Sequence, residues 1–334
     1  MNCRTRPIRF KYEGKPVSEL TEKIKKIFTD EKLDILIGYE KGSLPLRGTP
    51  CFIESAEDAD KLIFDSTCHN NLAKYLTDQK KTEVDARKIG IVVKGCDARA
   101  VVQLVVEKQF ERENIVIIGV PCKGVIDPSK LRAKLRDKEI SDFRFDGNKI
   151  IVSGENFQET FDKNELLSDG CLSCKYPNAP QYDYFIGDPA EPIASKDEYA
   201  DIDEFEKKPP DERWEYFEKE YGKCIRCYAC RNACPMCYCE QCFVDCSMPQ
   251  WIGKGGNLSD KMIFHIVRAM HLAGRCVDCG ACAAACPLNI DVRLLGKRIE
   301  REVAERFDFT AGMDFETPPA LATFREDDKQ EFIM

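Results

Sequence analysis

Between Cys224 and Cys286 the chain carries twelve of its nineteen cysteines, first in CIRCYACRNACPMCYCEQCFVDC and then, after a gap, in CVDCGACAAACP. Few chemistries use thiols at that density. Disulfides are the default for a secreted chain, but the N-terminus has no apolar signal region and no twin-arginine motif, and the cytosol is reducing. Inert core thiols have no reason to fall at C-x2-C-x2-C spacing. The pattern points to metal sites, and its best reading is an iron–sulfur electron-transfer module.

Two C-x2-C-x2-C-x3-C-P runs carry that reading: Cys224, Cys227, Cys230 and Cys234 before Pro235, and Cys276, Cys279, Cys282 and Cys286 before Pro287. In such pairs the tight loop supplies three corners of one cluster while the fourth cysteine ligates the other. The expected sets are therefore Cys224, Cys227, Cys230 and Cys286 for one 4Fe-4S cluster, and Cys276, Cys279, Cys282 and Cys234 for the other. A zinc array rarely repeats this eight-cysteine pattern. Four further cysteines, Cys237, Cys239, Cys242 and Cys246, follow the first run at C-x-C-x2-C-x3-C spacing. They are read as a third cluster, with a structural zinc as the competing reading. Arg226, Arg231, Lys254, Arg268 and Arg275 are the cations available to offset cluster charge.

The gap between the runs contains SDKMIFHIVRAMHLAGR, which predicts a helix with Met262, Ile263, Ile266, Val267, Met270 and Leu272 on or near its apolar stripe. His265 and His271 are read there as packing or surface residues rather than ligands. NIDVRLLGKRIEREVAERF predicts another helix. Helices flanking both runs, and RAMHLAGRCVDCGACAAACP above all, resemble the all-α ferredoxin domain of the heterodisulfide reductase C subunit and of fumarate reductase iron–sulfur proteins.

The N-terminal half reads differently. SELTEKIKKIFTD spaces Leu20, Ile24, Ile27 and Phe28 as one helical face, and KLDILIGYEKG follows as a buried strand. KIGIVVKGCDARAVVQLVVEK and NIVIIGVPCKGVIDPSKLRAKL each read as apolar strand, turn and helix, the pattern of a parallel sheet covered on both faces. Cys96 and Cys122 fall just past the C-terminal ends of those strands, where open parallel sheets place ligands. Residues 138–170 read as a β-rich excursion, and DGCLSCKYPNAPQYDYFIGD then supplies Cys171 and Cys174. That lone C-x2-C is open to three readings: a redox thiol pair, half of a zinc site, or half of an iron–sulfur site. With Cys96 and Cys122 it makes a four-thiolate set suited to zinc or iron. Cys68, beside His69, is read as a free thiol or spare ligand, and Cys3 and Cys51 as structural.

The order GCDARA, IGVPCKGV, CLSCKYPNAPQYDYFIGD resembles the beta-subunit family of coenzyme-deazaflavin (F420) hydrogenases and formate dehydrogenases, over roughly residues 17–190. The resemblance implies a 4Fe-4S cluster on Cys96, Cys122, Cys171 and Cys174, next to a flavin (FAD) in those relatives. Deazaflavin-using relatives open their first helix with a Gly-Gly-x-Val-Thr type sequence, where this chain has KPVSELTEK.

The expected fold is thus an α/β N-terminal domain with a mostly parallel sheet, followed by a mostly α-helical, ferredoxin-like iron–sulfur domain. The boundaries read from composition are 1–187 for the first domain, 188–213 for an acidic, proline-containing linker, 214–308 for the cluster domain and 309–334 for an extended arm. A net charge of −8 argues against nucleic acid as a partner. No apolar run reaches about 18 residues, so direct membrane insertion is not expected and a cytoplasmic location is. Clusters without a glycine-rich nucleotide loop describe a wire. The expectation is a non-catalytic electron-transfer subunit of an oxidoreductase complex, joining a formate dehydrogenase or hydrogenase to a flavin-containing heterodisulfide-reductase-like or ferredoxin-reducing partner. The alternatives are a flavin-bearing subunit that itself reduces deazaflavin or ferredoxin, and a non-redox iron–sulfur or zinc scaffold.

Overall fold

The computed structural model describes residues 18–80, 87–136, 138–193 and 197–322. Cys3, the N-terminal arm and the end of the C-terminal arm lie outside the described residues. The apolar runs form strands as their composition requires: β1 (Ile35–Lys41), β2 (Gly48–Ile53), β3 (Ile89–Val93), β4 (Ile115–Gly119) and, after the excursion, β8 (Tyr184–Phe185). They build one sheet in the order β2-β1-β3-β4-β8. Strands β1, β3, β4 and β8 run parallel, and β2 pairs antiparallel with β1 at the edge. Between them in sequence, β5 (Asp142–Asp146), β6 (Lys149–Gly154) and β7 (Phe157–Asp162) form a separate antiparallel sheet.

Alternation along the central strands feeds two cores. Leu36, Val92, Val116 and Ile118 pack on one face against α1 (Ser18–Asp30), through Ile24, Ile27 and Phe28. Ile37, Ile91, Val93 and Ile117 pack on the other, which takes in residues from α2 (Ala73–Lys80) and α3 (Gly95–Val106). The crossover after β4 carries α4 (Pro128–Leu135), and the short helices α5 (Lys163–Leu166) and α6 (Asp169–Leu172) follow the small sheet.

The second half is helical: α7 (Ala200–Glu206), α8 (Pro210–Gly222), α9 (Ala229–Asn232), α10 (Leu258–His271), α11 (Ala281–Ala284) and α12 (Arg293–Phe307). Among the described residues no helix is long and apolar enough to cross a membrane. Stretch 188–213 holds α7 and the start of α8, with Ile202 buried and Arg301 on α12 paired to Asp203 at 2.6 Å.

The apolar stripe expected on α10 needs correction. Ile263 and Met270 are 44% and 58% exposed, while Met262, Phe264, His265, Arg268 and Ala269 are buried. The buried face meets the cysteine loops, and that contact selects polar as well as apolar side chains. His265 stacks on Tyr221 with ring centroids 4.2 Å apart.

The two halves share a core. Met236, Leu272, Val277, Val303, Phe309 and Ala311 join the cluster on the α3 side of the sheet. Polar contacts fix the join: Arg99 Nε on α3 donates to the Ala311 carbonyl at 3.0 Å, and Arg275 donates to Glu107 through Nε at 2.8 Å and Nη2 at 2.6 Å. Residues 309–311 of the arm therefore pack inside the molecule.

Candidate cluster-binding sites

Every described cysteine is unbridged. The two C-x2-C-x2-C loops share one backbone pattern. In the first, Arg226 and Tyr228 are left-handed (φ 56° and 59°); in the second, Asp278 and Gly280 are (φ 52° and 70°). Three of these four positions are not glycine, and a left-handed L-residue costs about 1–2 kcal/mol. The turn brings backbone N–H groups onto sulfur: Arg226 N donates to Cys224 Sγ at 3.3 Å and Asp278 N to Cys276 Sγ at 3.4 Å. Each loop then enters a one-turn helix, α9 or α11. Arg293 Nη2, at 2.8 Å, and Lys297, at 3.2 Å, clamp the Asp278 carboxylate. Burial alone would raise that carboxyl, but the two cations hold it below its ordinary value.

The fourth cysteine of each run sits with the other run. Cys224, Cys227, Cys230 and Cys286 line one cavity together with Phe264 and His265. On the other side, burial pushes the Cys279 thiol up to about 12, and the next largest influence is the sulfur of Cys234. Burial also raises Cys282, with Cys234 acting in the same direction.

Cys96, Cys122, Cys171 and Cys174 converge. All four line one cavity at the C-terminal ends of β3 and β4, with Lys94 and Tyr176. Val125 N donates to Cys171 Sγ and Tyr176 N to Cys174 Sγ, both at 3.4 Å. Burial pushes the Cys171 thiol up to about 12, and the Val125 N–H opposes that shift. Gly95 makes the convergence possible, because a Cβ there would lie 1.8 Å from the Tyr176 carbonyl oxygen. Beneath the set, the Lys94 ammonium is buried on Asp97 Oδ2 at 2.9 Å, Tyr39 Oη at 2.6 Å and the Asn70 carbonyl at 2.8 Å.

The N-terminal set and the second run touch. Cys279 also lines the N-terminal cavity. Asn71 Nδ2 donates to the Cys96 carbonyl at 3.4 Å, and the same side chain opposes the burial that raises the Cys279 thiol. Sequence reasoning missed Asn71 and Lys94. The lysine ending the apolar run IGIVVK was a usable signal, since a charge in that place needs a buried partner.

The remaining group is only partly assembled. Cys237, Cys239 and Cys242 line one cavity, whose lining does not include Cys246. Cys246 Sγ donates to the Cys242 carbonyl at 3.6 Å. Cys237 N donates to the Cys234 carbonyl at 3.2 Å, and the neighbouring Cys234 side chain holds the Cys237 thiol below its ordinary value. Cys68 and Cys51 are buried thiols, both pushed up by burial, Cys51 to about 12. Among the described residues no three His, Cys, Asp or Glu side chains come close enough to hold a single metal ion.

Of the five cations expected near the clusters, Arg231 pairs with Asp245 at 2.7 Å and Arg275 with Glu107. Arg226 donates to the Gly253 and Gly255 carbonyls, and Lys254 to that of Val244. Arg268 lies buried among sulfurs.

Residues 86–237 match the family described as the C-terminal region of the coenzyme F420 hydrogenase/dehydrogenase beta subunit. The F420-dependent formate dehydrogenase subunit beta of Methanocaldococcus jannaschii is 26% identical, over 88% of this chain and 91% of its own length. The F420-dependent formate dehydrogenase 1 subunit beta of Methanococcus maripaludis is also 26% identical, over 86% of this chain and 89% of its own length. Such coverage carries the similarity into the cysteine-rich half, because residues 1–213 make up less than two thirds of the 334. Among solved structures, a chain of the F420-reducing NiFe hydrogenase complex of Methanosarcina barkeri is 15% identical with a TM-score of 0.38. That match covers 50% of this chain and 61% of the other. Over residues 86–237 by the family match, and over most of its length by the two relatives, the chain is similar to the beta subunits of F420-dependent hydrogenases and formate dehydrogenases.

Proposed function

We propose that the chain is the electron-transfer subunit of an oxidoreductase complex whose catalytic subunit is a formate dehydrogenase or hydrogenase. On this reading it carries 4Fe-4S clusters on Cys96, Cys122, Cys171 and Cys174, on Cys276, Cys279, Cys282 and Cys234, and on Cys224, Cys227, Cys230 and Cys286. The Cys237, Cys239, Cys242 and Cys246 group holds a fourth. The observation that carries the reading is contiguity: the N-terminal set reaches the second run at Cys96, Asn71 and Cys279, and the second run crosses the first through Cys234 and Cys286.

The donor chemistry fits the group. Cys171 and Cys174 each have a backbone N–H aimed at the sulfur, and burial together with the neighbouring Cys122 and Cys174 raises the Cys171 thiol, an arrangement poised for thiolate ligation once a cationic centre is present. A single tetrahedral zinc needs sulfurs about 2.3 Å from one ion, whereas a cubane spreads its four thiolates over separate iron corners. When bound, such clusters supply one-electron transfer. The chain's own residues hold the sulfurs in place, keep water out and fix the charges around them: Lys94 beside the N-terminal set, Arg293 and Lys297 on the Asp278 loop. Catalytic residues are assigned to other subunits. We place the complex in the cytoplasm, as a subunit without membrane insertion and without a nucleic-acid partner. Its other redox partner is a flavin-containing heterodisulfide-reductase-like or ferredoxin-reducing subunit.

A second reading, an FAD-bearing subunit that itself reduces deazaflavin or ferredoxin, has one observation in its favour. A cleft of about 860 Å3 lies between the two halves, lined by Arg47, Lys74, Lys130 and Arg132 on one side and by Ala281, Ala283, Cys286 and Pro287 on the other. Asp127, Asp169 and Asp291 also line it, Lys130 being paired with Asp169 at 2.7 Å, and its volume lies within the range of cofactor pockets.

Affinity purification of the tagged chain from its native host under anaerobic conditions tests the first reading. A formate dehydrogenase or hydrogenase catalytic subunit is expected to co-purify, and its substrate is expected to bleach the visible absorbance of the chain. A monomer that no such substrate bleaches contradicts the reading, and flavin absorbance in the purified chain favours the second.

A further inference from the structure

We infer that Arg268 is a positioning residue shared by the two crossed cysteine sets, its single buried guanidinium setting the reduction potentials of both clusters together. The inference rests on the cluster reading above. Arg268 sits on the buried face of α10 and is 6% exposed. Its Nη2 donates to the Cys230 carbonyl at 3.2 Å, and its charge opposes the burial that raises the Cys282 thiol. Cys230 belongs to one proposed set and Cys282 to the other. Its Nε is buried with no hydrogen-bond partner. After burial, the strongest influences on it are the sulfurs of Cys282, Cys234, Cys237 and Cys230, not a carboxylate.

A buried guanidinium without a carboxylate is costly unless another negative group balances it. Arginine holds its charge at any working pH, and its planar fork reaches several acceptors at once. The position between the sets, with Nε still available, matches a cation whose counter-charge is spread over two clusters. A fixed positive charge at that place favours the more negative, reduced state of each, so its removal makes both harder to reduce. The apolar stripe expected on α10 hid this role, because it runs through Ile263, Ile266 and Met270 and leaves Arg268 on the opposite face, the one that is buried.

The test is an EPR-monitored redox titration of the anaerobically purified chain and of Arg268→Met, each first assayed for iron. At unchanged iron content, Arg268→Met is expected to shift both midpoint potentials to more negative values, and Arg268→Lys to restore most of the shift. If Arg268→Met does not retain its iron, Arg268→Gln is read in its place, since it drops the charge while keeping a donor for the Cys230 carbonyl. Full iron content with neither midpoint moved, or with only one moved, overturns the inference. Absence of iron from the parent chain is a different result, and it overturns the cluster reading itself.

Discussion

Asp97→Ala is expected to lower the stability of the chain by about 3–5 kcal/mol, the range for breaking a buried ion pair by removing one partner. Asp97 is fully buried, accepts from the Lys94 backbone N–H at 3.3 Å and pairs with the Lys94 ammonium. Burial works against that ammonium, but Asp97 together with Tyr39, Cys96 and Cys122 holds Lys94 well above its ordinary pKa. Without the carboxylate the charge keeps only the Tyr39 hydroxyl and the Cys68 and Asn70 carbonyls. Replacing both partners with apolar residues, as Lys94→Met with Asp97→Leu, is expected to recover most of the loss. Urea unfolding at neutral pH measures both variants. An Asp97→Ala midpoint indistinguishable from the parent contradicts the account of this pair.

Cys122→Ala is expected to remove about four irons per chain, one cubane's complement, together with one EPR signal. The signals of the crossed pair should persist, because their eight cysteines come from other loops. Cys122 N donates to the Pro177 carbonyl at 2.9 Å, which ties the end of β4 to the Cys174 loop. That bond survives the substitution, so the change removes a ligand and leaves the frame. Loss of all iron on Cys122→Ala would mean that the N-terminal set is not a separate site.

Much of the architecture was legible because it follows from period and turn chemistry. The apolar runs at 35–41, 89–93 and 115–119 became the parallel strands, and Cys96 and Cys122 lie just past two of them. The long helices α10 and α12 lie where their periodicity put them. What periodicity could not give was the packing between distant parts. Met236, Leu272 and Phe309 join a core begun by β1 and β3, and no local pattern records that. Helix α7 was hidden in an acidic, proline-flanked stretch, since its order depends on Ile202 and on partners contributed by α12. Around the cysteines the failures have one cause. A redox site puts polar groups such as Arg268, Lys94 and Asn71 on buried faces, where a reading based on apolar stripes expects hydrocarbon. The fifth position of each C-x2-C-x2-C loop shows the limit in the other direction. Tyr228 and Gly280 adopt the same left-handed conformation, yet only the glycine announces it.

The central claim is that the cysteine sets hold clusters in one continuous path, and metal analysis of the anaerobically purified chain tests it most directly. Iron, acid-labile sulfide, zinc and flavin are quantified per chain alongside EPR of the reduced protein. The account predicts about sixteen irons with matching sulfide, four cubanes in all. About twelve irons with one zinc would assign the Cys237 to Cys246 group to zinc, and about eight would remove the N-terminal site and with it the continuous path.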